Sequence, residues 1–171
     1  LKFCQSFVPA DKTEHLIKDF DCGRPEMNLF LSRFAIKHAK LGLSRTLVLP
    51  VNESAKNQKL IAAYYTLAAS TVCRQDIPSA PSLPRYPVPV ALLARLAVDV
   101  NYQGNRLGEK SLIYALRHVV RLCDEGLPAY GLVLDVLDDD ALSFYQQFKF
   151  FHSFTHDPMR LFVPMNVLRK I

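Results

Sequence analysis

Cysteine is sparse in this sequence and nowhere paired. Cys4, Cys22, Cys73 and Cys123 form no Cys-x-x-Cys spacing, which argues against a secreted disulfide scaffold and makes reduced thiols in a cytoplasm the expectation. Long apolar runs are missing too. A membrane helix needs ~20 consecutive apolar residues, and the longest candidate, residues 89–98, is cut by Arg95. Residues 1–12 offer Lys2 but no apolar core of a secretory signal. The chain begins at Leu1 rather than methionine, so a few starting residues are expected to be missing. Gly-Lys-Ser/Thr and the GxGxxG spacing are both absent, which excludes a P-loop and argues against a dinucleotide fingerprint. No internal repeat or low-complexity stretch is visible. These absences lead to the expectation of a soluble cytoplasmic protein with no membrane partner.

What is present fits one domain over 1–171. The length of 171 residues lies within the range on the order of 100–200 typical of single domains and suffices for a core of its own. Hydrophobic residues make up 50% and charged residues 22%, a globular rather than a disordered composition. Lys+Arg 21 against Asp+Glu 16 leaves a net charge of +5. That excess permits an anionic partner, although spread evenly it would only keep the protein soluble.

Residues 3–8 read as a short strand, after which Asp11 supplies an N-cap for a short helix carrying Leu16, Ile17 and Phe20. Asp21-Cys22-Gly23 is a turn, and Pro25 suits the first position of a second helix. That helix carries the apolar stripe Met27, Phe30, Leu31, Phe34, Ala35 and His38, sets Arg33, Lys37 and Lys40 on the other face, and stops at Gly42. Residues 45–51 and 60–72 read as a hairpin joined through polar residues 52–58. Residues 74–89 hold Pro78, Pro81, Pro84, Pro87 and Pro89. Neither a helix nor a central strand accepts them, so a long stiff surface loop is expected. A strand over 90–100 follows, then a helix over 107–123 with Leu112, Ala115, Leu116, Val119 and Leu122 on one side. A buried strand over 131–137 leads to a helix capped by Asp138 and running to Phe148. A hairpin of 150–154 and 161–165 around His156-Asp157-Pro158 closes the chain. The order β-α-α-β-β-β-α-β-α-β describes an α/β sheet of mixed strand directions.

The most informative stretch runs from Ala94 to Glu109. A strand ends in a short loop with Gly104 and Gly108 and opens directly onto a helix. The first N–H groups of a helix have no intrahelical partners, and the macrodipole makes them attractive to anions, so this joint is a ready phosphate cradle. On these residues, "RLAVD" followed by "QGxxLG" and then "FYxxFxF", the sequence resembles the GNAT acetyltransferase superfamily. Gln103 and Gly108 match the first and last positions of its acetyl-CoA loop, Q/R-x-x-G-x-G/A, while Arg106 replaces the internal glycine. If that position requires a positive φ, the arginine costs on the order of 1–2 kcal/mol, while its backbone N–H survives and its guanidinium offers a further phosphate donor.

Other segments narrow the resemblance. Asp21-Cys22-Gly23 leading into Leu29-Phe30-Leu31, Tyr65, Arg85-Tyr86-Pro87-Val88-Pro89-Val90 before Arg95, and Asp157-Pro158-Met159-Arg160-Leu161-Phe162 resemble the GNAT-type toxins of bacterial toxin–antitoxin pairs. The resemblance implies the acyl-CoA N-acyltransferase fold, a mixed and mostly antiparallel sheet with helices on both faces. It implies acetyl-CoA as donor, bound along Leu96, Ala97 and Val98 and at Gln103, Gly104, Asn105, Arg106, Leu107 and Gly108, with Tyr145 as general acid for the departing thiolate and a further coenzyme contact. A phenol of pKa about 10 is protonated at neutral pH and can donate. The alternative for Tyr145 is a core aromatic beside Phe144 and Phe148, and Lys149 stands where relatives usually have glycine.

The resemblance also implies the α-amino group of aminoacyl-tRNA as acceptor, inhibition of translation, a ribbon-helix-helix antitoxin, operator DNA reached only through that antitoxin, and a homodimer. No general base stands out, since Asp99, Asp135 and Glu53 qualify only by type. An α-amine titrates near 7.7–8.0 and needs less help than a lysine near 10.4, roughly. Arg33, Lys37 and Lys40, with Arg74 and Arg85 bracketing the proline loop and Arg24 and Arg45 near helix ends, are the candidate phosphate contacts for tRNA. A solvated helix face explains any one of them equally well, and Tyr86 either stacks on a base or braces its loop. His152, His156 and Asp138-Asp139-Asp140 have ligand-like spacing, but no metal is expected. Cys22 and Cys73 have no histidine near in sequence to suggest a nucleophile. Two other functions stay open: a GNAT enzyme acting on a small amine or a protein lysine, and a catalytically degenerate module that binds an antitoxin.

Overall fold

The computed structural model describes residues 6–52, 57–78 and 82–171. Expectations that fall on residues 1–5, 53–56 and 79–81 lie outside the described residues: most of the first strand, Cys4, Glu53 and Pro81. The seven strands are β1 (Val8–Pro9), β2 (Arg45–Pro50), β3 (Ile61–Val72), β4 (Val88–Val98), β5 (Gly131–Asp135), β6 (His152–Phe154) and β7 (Asp157–Pro164). They form one sheet of order β1-β2-β3-β4-β5-β7-β6, mostly antiparallel, with β4 and β5 parallel. Contacts group the chain into two compact units. One comprises residues 1–68 and 95–114, the other residues 69–94 and 115–171.

In the first unit, β1 pairs with β2 and β2 with β3, both antiparallel. The register shifts between Leu49 and Pro50, where proline has no N–H to give the ladder. Thr46 and Thr66 face each other across the pair and share a 2.8 Å hydroxyl hydrogen bond in the interior, so neither buried hydroxyl is unsatisfied. Asp11 does not cap a helix. Its Oδ1 accepts from the N–H and hydroxyl of Thr13, and only a 3-10 turn, Ile17–Asp19, follows.

The helical segment beginning at Pro25 is α1 (Pro25–Leu29), a π turn (Phe30–Phe34) and α2 (Ala35–Lys40) in succession. The Ala35 N–H reaches back five residues to the Phe30 carbonyl. This extra residue changes the phase of the apolar stripe. Met27, Phe30, Leu31 and Ala35 are buried, but Phe34, expected beside them, is 41% exposed. The helix ends as the glycine suggested. Gly42 has φ +75, its N–H donates to Ala39 and the Leu43 N–H donates to His38, which is the left-handed C-terminal motif that satisfies orphan carbonyls. Met27, Phe30, Leu31, Val48, Ile61, Tyr64 and Ala97 are among the side chains of this unit's core.

In the second unit, β4 pairs with β5 from Ala91↔Leu132 to Leu93↔Leu134, and β7 lies antiparallel to β5 and to β6. Pro89 lies within β4 rather than in the loop; its ring faces solvent and its carbonyl accepts from Tyr130, a role that needs no N–H. The closing hairpin is tighter than expected, with Phe154 opposite Asp157 and Pro158 already in β7. A short helix, α5 (Met165–Leu168), follows it; four residues are too few to show periodicity. The core of this unit includes Val72, Ile77, Val88, Val90, Val133, Phe154 and Phe162, with Leu83 packed against it. Ile77 and Leu83 thus pin the proline loop, while residues 84–87 stay exposed. Between β4 and β5, α3 (Leu107–Asp124) runs from the first unit into the second. Leu112, Ala115, Leu116 and Val119 are buried as expected.

Gly131 is required by packing rather than by backbone freedom. A Cβ there would lie 2.4 Å from the Val163 carbonyl and 2.7 Å from the Phe162 ring, itself stacked on Tyr130. Overpacking of this kind costs about 2–3 kcal/mol. Gly131→Ala is therefore expected to lower the thermal midpoint by roughly 5–10 °C, read by circular dichroism.

Candidate functional site

In the first unit, β4 runs into the loop that precedes α3. Asp99 follows the strand and is 4% exposed. Its Oδ2 accepts from the Asp21 N–H at 3.0 Å, and its Oδ1 accepts from the Asn101 N–H and Nδ2 at 2.9 and 3.0 Å. The Asp99 N–H donates to the Ala62 carbonyl and the Val100 N–H to the Asp21 carbonyl. Gln103 Nε2 donates to the carbonyls of Val98, at 2.9 Å, and Cys22, at 3.3 Å. The loop is therefore fastened to the Asp21–Gly23 turn by hydrogen bonds from both segments. Asp21 shapes that turn through its own Oδ1, which accepts from the Gly23 N–H and Asn28 Nδ2. These hydrogen bonds hold its carboxyl below the ordinary carboxylate range.

The fastening uses the N–H groups of residues 99–102 and leaves the space over Gly104 open. Gly104 has φ +88, and nothing lies within 4 Å of where a Cβ would be. The Gln103 side chain is turned onto carbonyls, away from the donors of the helix start. Arg106 has φ 57, the sole non-glycine in the left-handed region among the described residues. The replaced motif glycine thus sat where glycine is preferred, and the arginine carries the strain. Its guanidinium grips the Glu109 carboxylate with three contacts of 2.9–3.1 Å on an exposed surface, so the side chain leans along the helix. Leu107 is buried, and the Lys110 N–H makes the first intrahelical bond, to Arg106. The residues present fit a diphosphate at this joint, with open space over Gly104 and orphan first-turn N–H groups on a long helix. Upstream, Ala97 is buried in the core, and Leu96 and Val98 are partly exposed.

Arg106→Gly separates strain from charge. Relief of the left-handed conformation is worth about 1–2 kcal/mol, offset by glycine's unfolded-state entropy and by a surface ion pair worth about 0–1 kcal/mol. The variant is expected to be as stable as the wild type or up to about 1 kcal/mol more stable in urea unfolding, and to keep its acetyl-CoA affinity in calorimetry. A large loss of affinity would assign the guanidinium to the ligand.

In the second unit, Asp138 caps α4 (Asp139–Gln146) by accepting from the Ala141 N–H at 2.9 Å. Tyr145 is 8% exposed, with its ring edge-on to Phe144 at 5.1 Å and to Phe151 at 5.7 Å. Phe148 packs on Phe144 and Phe151. The aromatic cluster holds the phenol ring in one orientation. Lys149 is exposed and not in the left-handed region, so its backbone does not call for glycine.

The cations fall into two groups. Arg33, Lys37 and Lys40 are all exposed on the helical segment of the first unit. In the second unit, Arg85 and Tyr86 project from the proline loop; Tyr86 is 68% exposed and so does not brace it. Arg74 does, donating from Nη1 to the Leu83 carbonyl at 2.8 Å. Among the described residues no cluster of His, Cys, Asp and Glu is arranged to hold a metal, and no helix is long and apolar enough to cross a membrane. Sequence reasoning missed the Asp21–Asp99 connection. Its local half was readable, since Asp-x-Gly is a turn in which an aspartate accepts from the second following N–H; the partner lies 78 residues away.

No family model matches the chain. Its fold is that of a tyrosine-to-phenylalanine variant of KacT, with a TM-score of 0.87 at 24% identity over 99% of both chains. It is also similar to AtaT complexed with acetyl-methionyl-tRNAfMet, with a TM-score of 0.83 at 25% identity over 96% of this chain and 97% of that one. A tRNA-acetylating toxin of Mycobacterium tuberculosis is 33% identical over 158 residues, 91% of this chain and 89% of the relative. With a third of its residues shared along nearly the whole length of both proteins, the chain belongs to the family of GNAT-type tRNA-acetylating toxins.

Proposed function

We propose that this chain is the toxin of a type II toxin–antitoxin pair, which transfers acetyl from acetyl-CoA to the α-amino group of aminoacyl-tRNA and thereby blocks translation. The observation that carries the reading is the loop of residues 99–106, fastened from beneath by Asp99 and Gln103 and open above Gly104. Main-chain N–H groups of residues 103–108 hold the coenzyme diphosphate at the start of α3. Acetyl-CoA supplies the activated acyl group as a thioester. A main-chain N–H among Leu96, Ala97 and Val98 donates to the thioester oxygen as charge develops there. The substrate amine, neutral in good part near pH 7.7–8.0 by its ordinary titration, bonds to the acyl carbon as the carbon–sulfur bond breaks. Tyr145 donates its phenolic proton to the departing sulfur and is reset from solvent, while the amine gives up its extra proton to water. That no general base stands out in the sequence is consistent with such an acceptor, because a lysine would need deprotonation first.

Arg33, Lys37, Lys40 and Arg85 are the proposed contacts to tRNA phosphates, and Arg74 acts on Arg85 and Tyr86 by bracing their loop. A single domain over 1–171, a cytoplasmic location, a homodimer, and a ribbon-helix-helix antitoxin through which operator DNA is reached complete the reading. Arg106 and Lys149, which depart from the pattern of the acetyltransferase family, are the residues that would favour a catalytically degenerate module. The first is accommodated with its main chain intact and the second without strain, so neither favours it. Incubating the purified protein with labelled acetyl-CoA and total charged tRNA tests the proposal. Label on the aminoacyl group, released with the amino acid on mild alkaline deacylation, is expected; label absent there but present on free amines would reject it.

A further inference from the structure

We propose that Arg95, laid over the ring of Phe30, is a receptor for a phosphodiester near the acceptor end of the tRNA substrate. This inference rests on the function proposed above and adds a recognition residue inside the first unit. The Arg95 guanidinium carbon lies 4.2 Å from the Phe30 ring centroid, and its Nη1 lies 3.5 Å from the Met27 sulfur. A ring face and a thioether hold the cation in place, but neither neutralises it. Arg106, Arg160 and Arg169 each meet a carboxylate. Arg95 is partly buried, and no ion pair is made by it among the described residues. Its neighbour Tyr64 supplies no charge either. That phenol donates to the Met27 carbonyl at 2.7 Å, and burial pushes its ionisation far above the ordinary range. A cation withdrawn from water beside groups that do not neutralise it is costly, and an anion from outside the chain offsets that cost.

The platform beneath the cation is firm. Phe30 is buried and opens the π turn, an element that recurs at functional sites, and His38 braces its ring edge-on at 5.6 Å. Planar guanidinium against a fixed ring leaves the fork of N–H donors oriented, the arrangement suited to bidentate phosphate binding. Two anionic ligands carry that chemistry, the coenzyme and the nucleic acid. The proposed function assigns the coenzyme diphosphate to main-chain donors at 103–108. The segment that carries Phe30 continues into the exposed Arg33, Lys37 and Lys40, a run of charge suited to a polyanion. Arg95 also immediately precedes Leu96, so an anion on it lies near the proposed site of acyl transfer along the strand.

The test uses the full chain as wild type, Arg95→Met and Arg95→Lys. Binding to total aminoacylated tRNA is measured across a salt series, binding to acetyl-CoA by calorimetry, and thermal midpoints alongside. Arg95→Met is expected to weaken tRNA binding about tenfold and to flatten the log–log salt dependence by about 0.7–0.9, one phosphate's share. Acetyl-CoA affinity and the thermal midpoint should not move. Arg95→Lys should keep the salt slope and lose affinity severalfold, and it decides the matter if Arg95→Met does not fold. Unchanged tRNA affinity in either variant overturns the proposal, and so does weaker tRNA binding with an unaltered slope in Arg95→Met. Loss of acetyl-CoA affinity instead would assign the phosphate to the coenzyme and overturn it as well. If the wild type itself neither binds nor acetylates charged tRNA, the functional reading fails and this proposal with it; a wild type that does both, beside an Arg95→Met that binds equally well, defeats this proposal alone.

Discussion

Tyr145→Phe is expected to lower acetyl transfer to aminoacyl-tRNA by about 10²–10⁴-fold, the range for removing a positioned general acid, and to leave acetyl-CoA affinity and stability nearly unchanged. The substitution removes one oxygen and keeps the ring, and the ring makes the edge-on contacts to Phe144 and Phe151. Packing therefore survives while the proposed proton donor is lost. Acetyl-CoA calorimetry, single-turnover transfer to charged tRNA and growth arrest on induction read the three consequences separately. A variant that arrests growth as strongly as the wild type removes the phenol from the mechanism. One that loses coenzyme affinity in parallel with rate makes Tyr145 a binding residue. The reverse case, full affinity with no turnover, also yields a protein that can be expressed without self-poisoning.

The parts of this fold that could be read in advance are those in which the cause is local. The stripe on α3 repeats at helical spacing, and Leu112, Ala115, Leu116 and Val119 are buried as it predicts. Asp138 precedes α4 and caps it, and Gly42 ends α2 in the left-handed conformation for which glycine is the ordinary choice. The failures have non-local causes. Phe34 satisfies the spacing of its stripe, yet the i-to-(i−5) bond into Phe30 turns it outward. A π turn has no compositional signature, because it depends on what the whole segment packs against. Pro89 fits β4 because its ring faces solvent and its carbonyl still accepts a bond, which is a property of its position rather than of the residue type.

The candidate site divides along the same line. The strand–glycine–helix joint was legible from spacing alone, and its use as a phosphate cradle stays a proposal that rests on the orphan first-turn N–H groups. The role assigned to Tyr145 came only from resemblance, since a phenol among phenylalanines reads equally well as core. Arg95 was legible merely as an interruption of an apolar run. That its charge has a ring beneath it and, among the described residues, no carboxylate paired with it depends on Phe30 and Met27, residues roughly 65–68 positions away.

Asp99→Ala is expected to do the greatest damage to the loop, and to show that the phosphate cradle is held from beneath. One carboxylate accepts from Asp21, from the Asn101 main chain and from the Asn101 side chain, at a position with almost no solvent. Hydrogen bonds to a charged group contribute about 1.5–3 kcal/mol each, and stranded donors add their own desolvation cost. Because the three share one acceptor and Asn101 regains some water, a total of about 3–5 kcal/mol is expected. The thermal midpoint should fall by roughly 8–16 °C. Stability alone would make Asp99 an ordinary buried polar residue; the coenzyme readout tells the two apart. If the carboxylate keeps residues 99–103 in register with the Asp21–Gly23 turn, then at a temperature where the variant is fully folded KM for acetyl-CoA rises at least tenfold while kcat changes little. Gln103→Ala, which removes the weaker bonds to Val98 and Cys22, should move KM in the same direction by a smaller factor and cost less stability. Asp99→Asn keeps one acceptor and should recover part of both. A destabilised Asp99→Ala protein that binds acetyl-CoA with wild-type affinity would mean that the loop holds its shape without the clamp, leaving the diphosphate site to the glycine and the helix start alone.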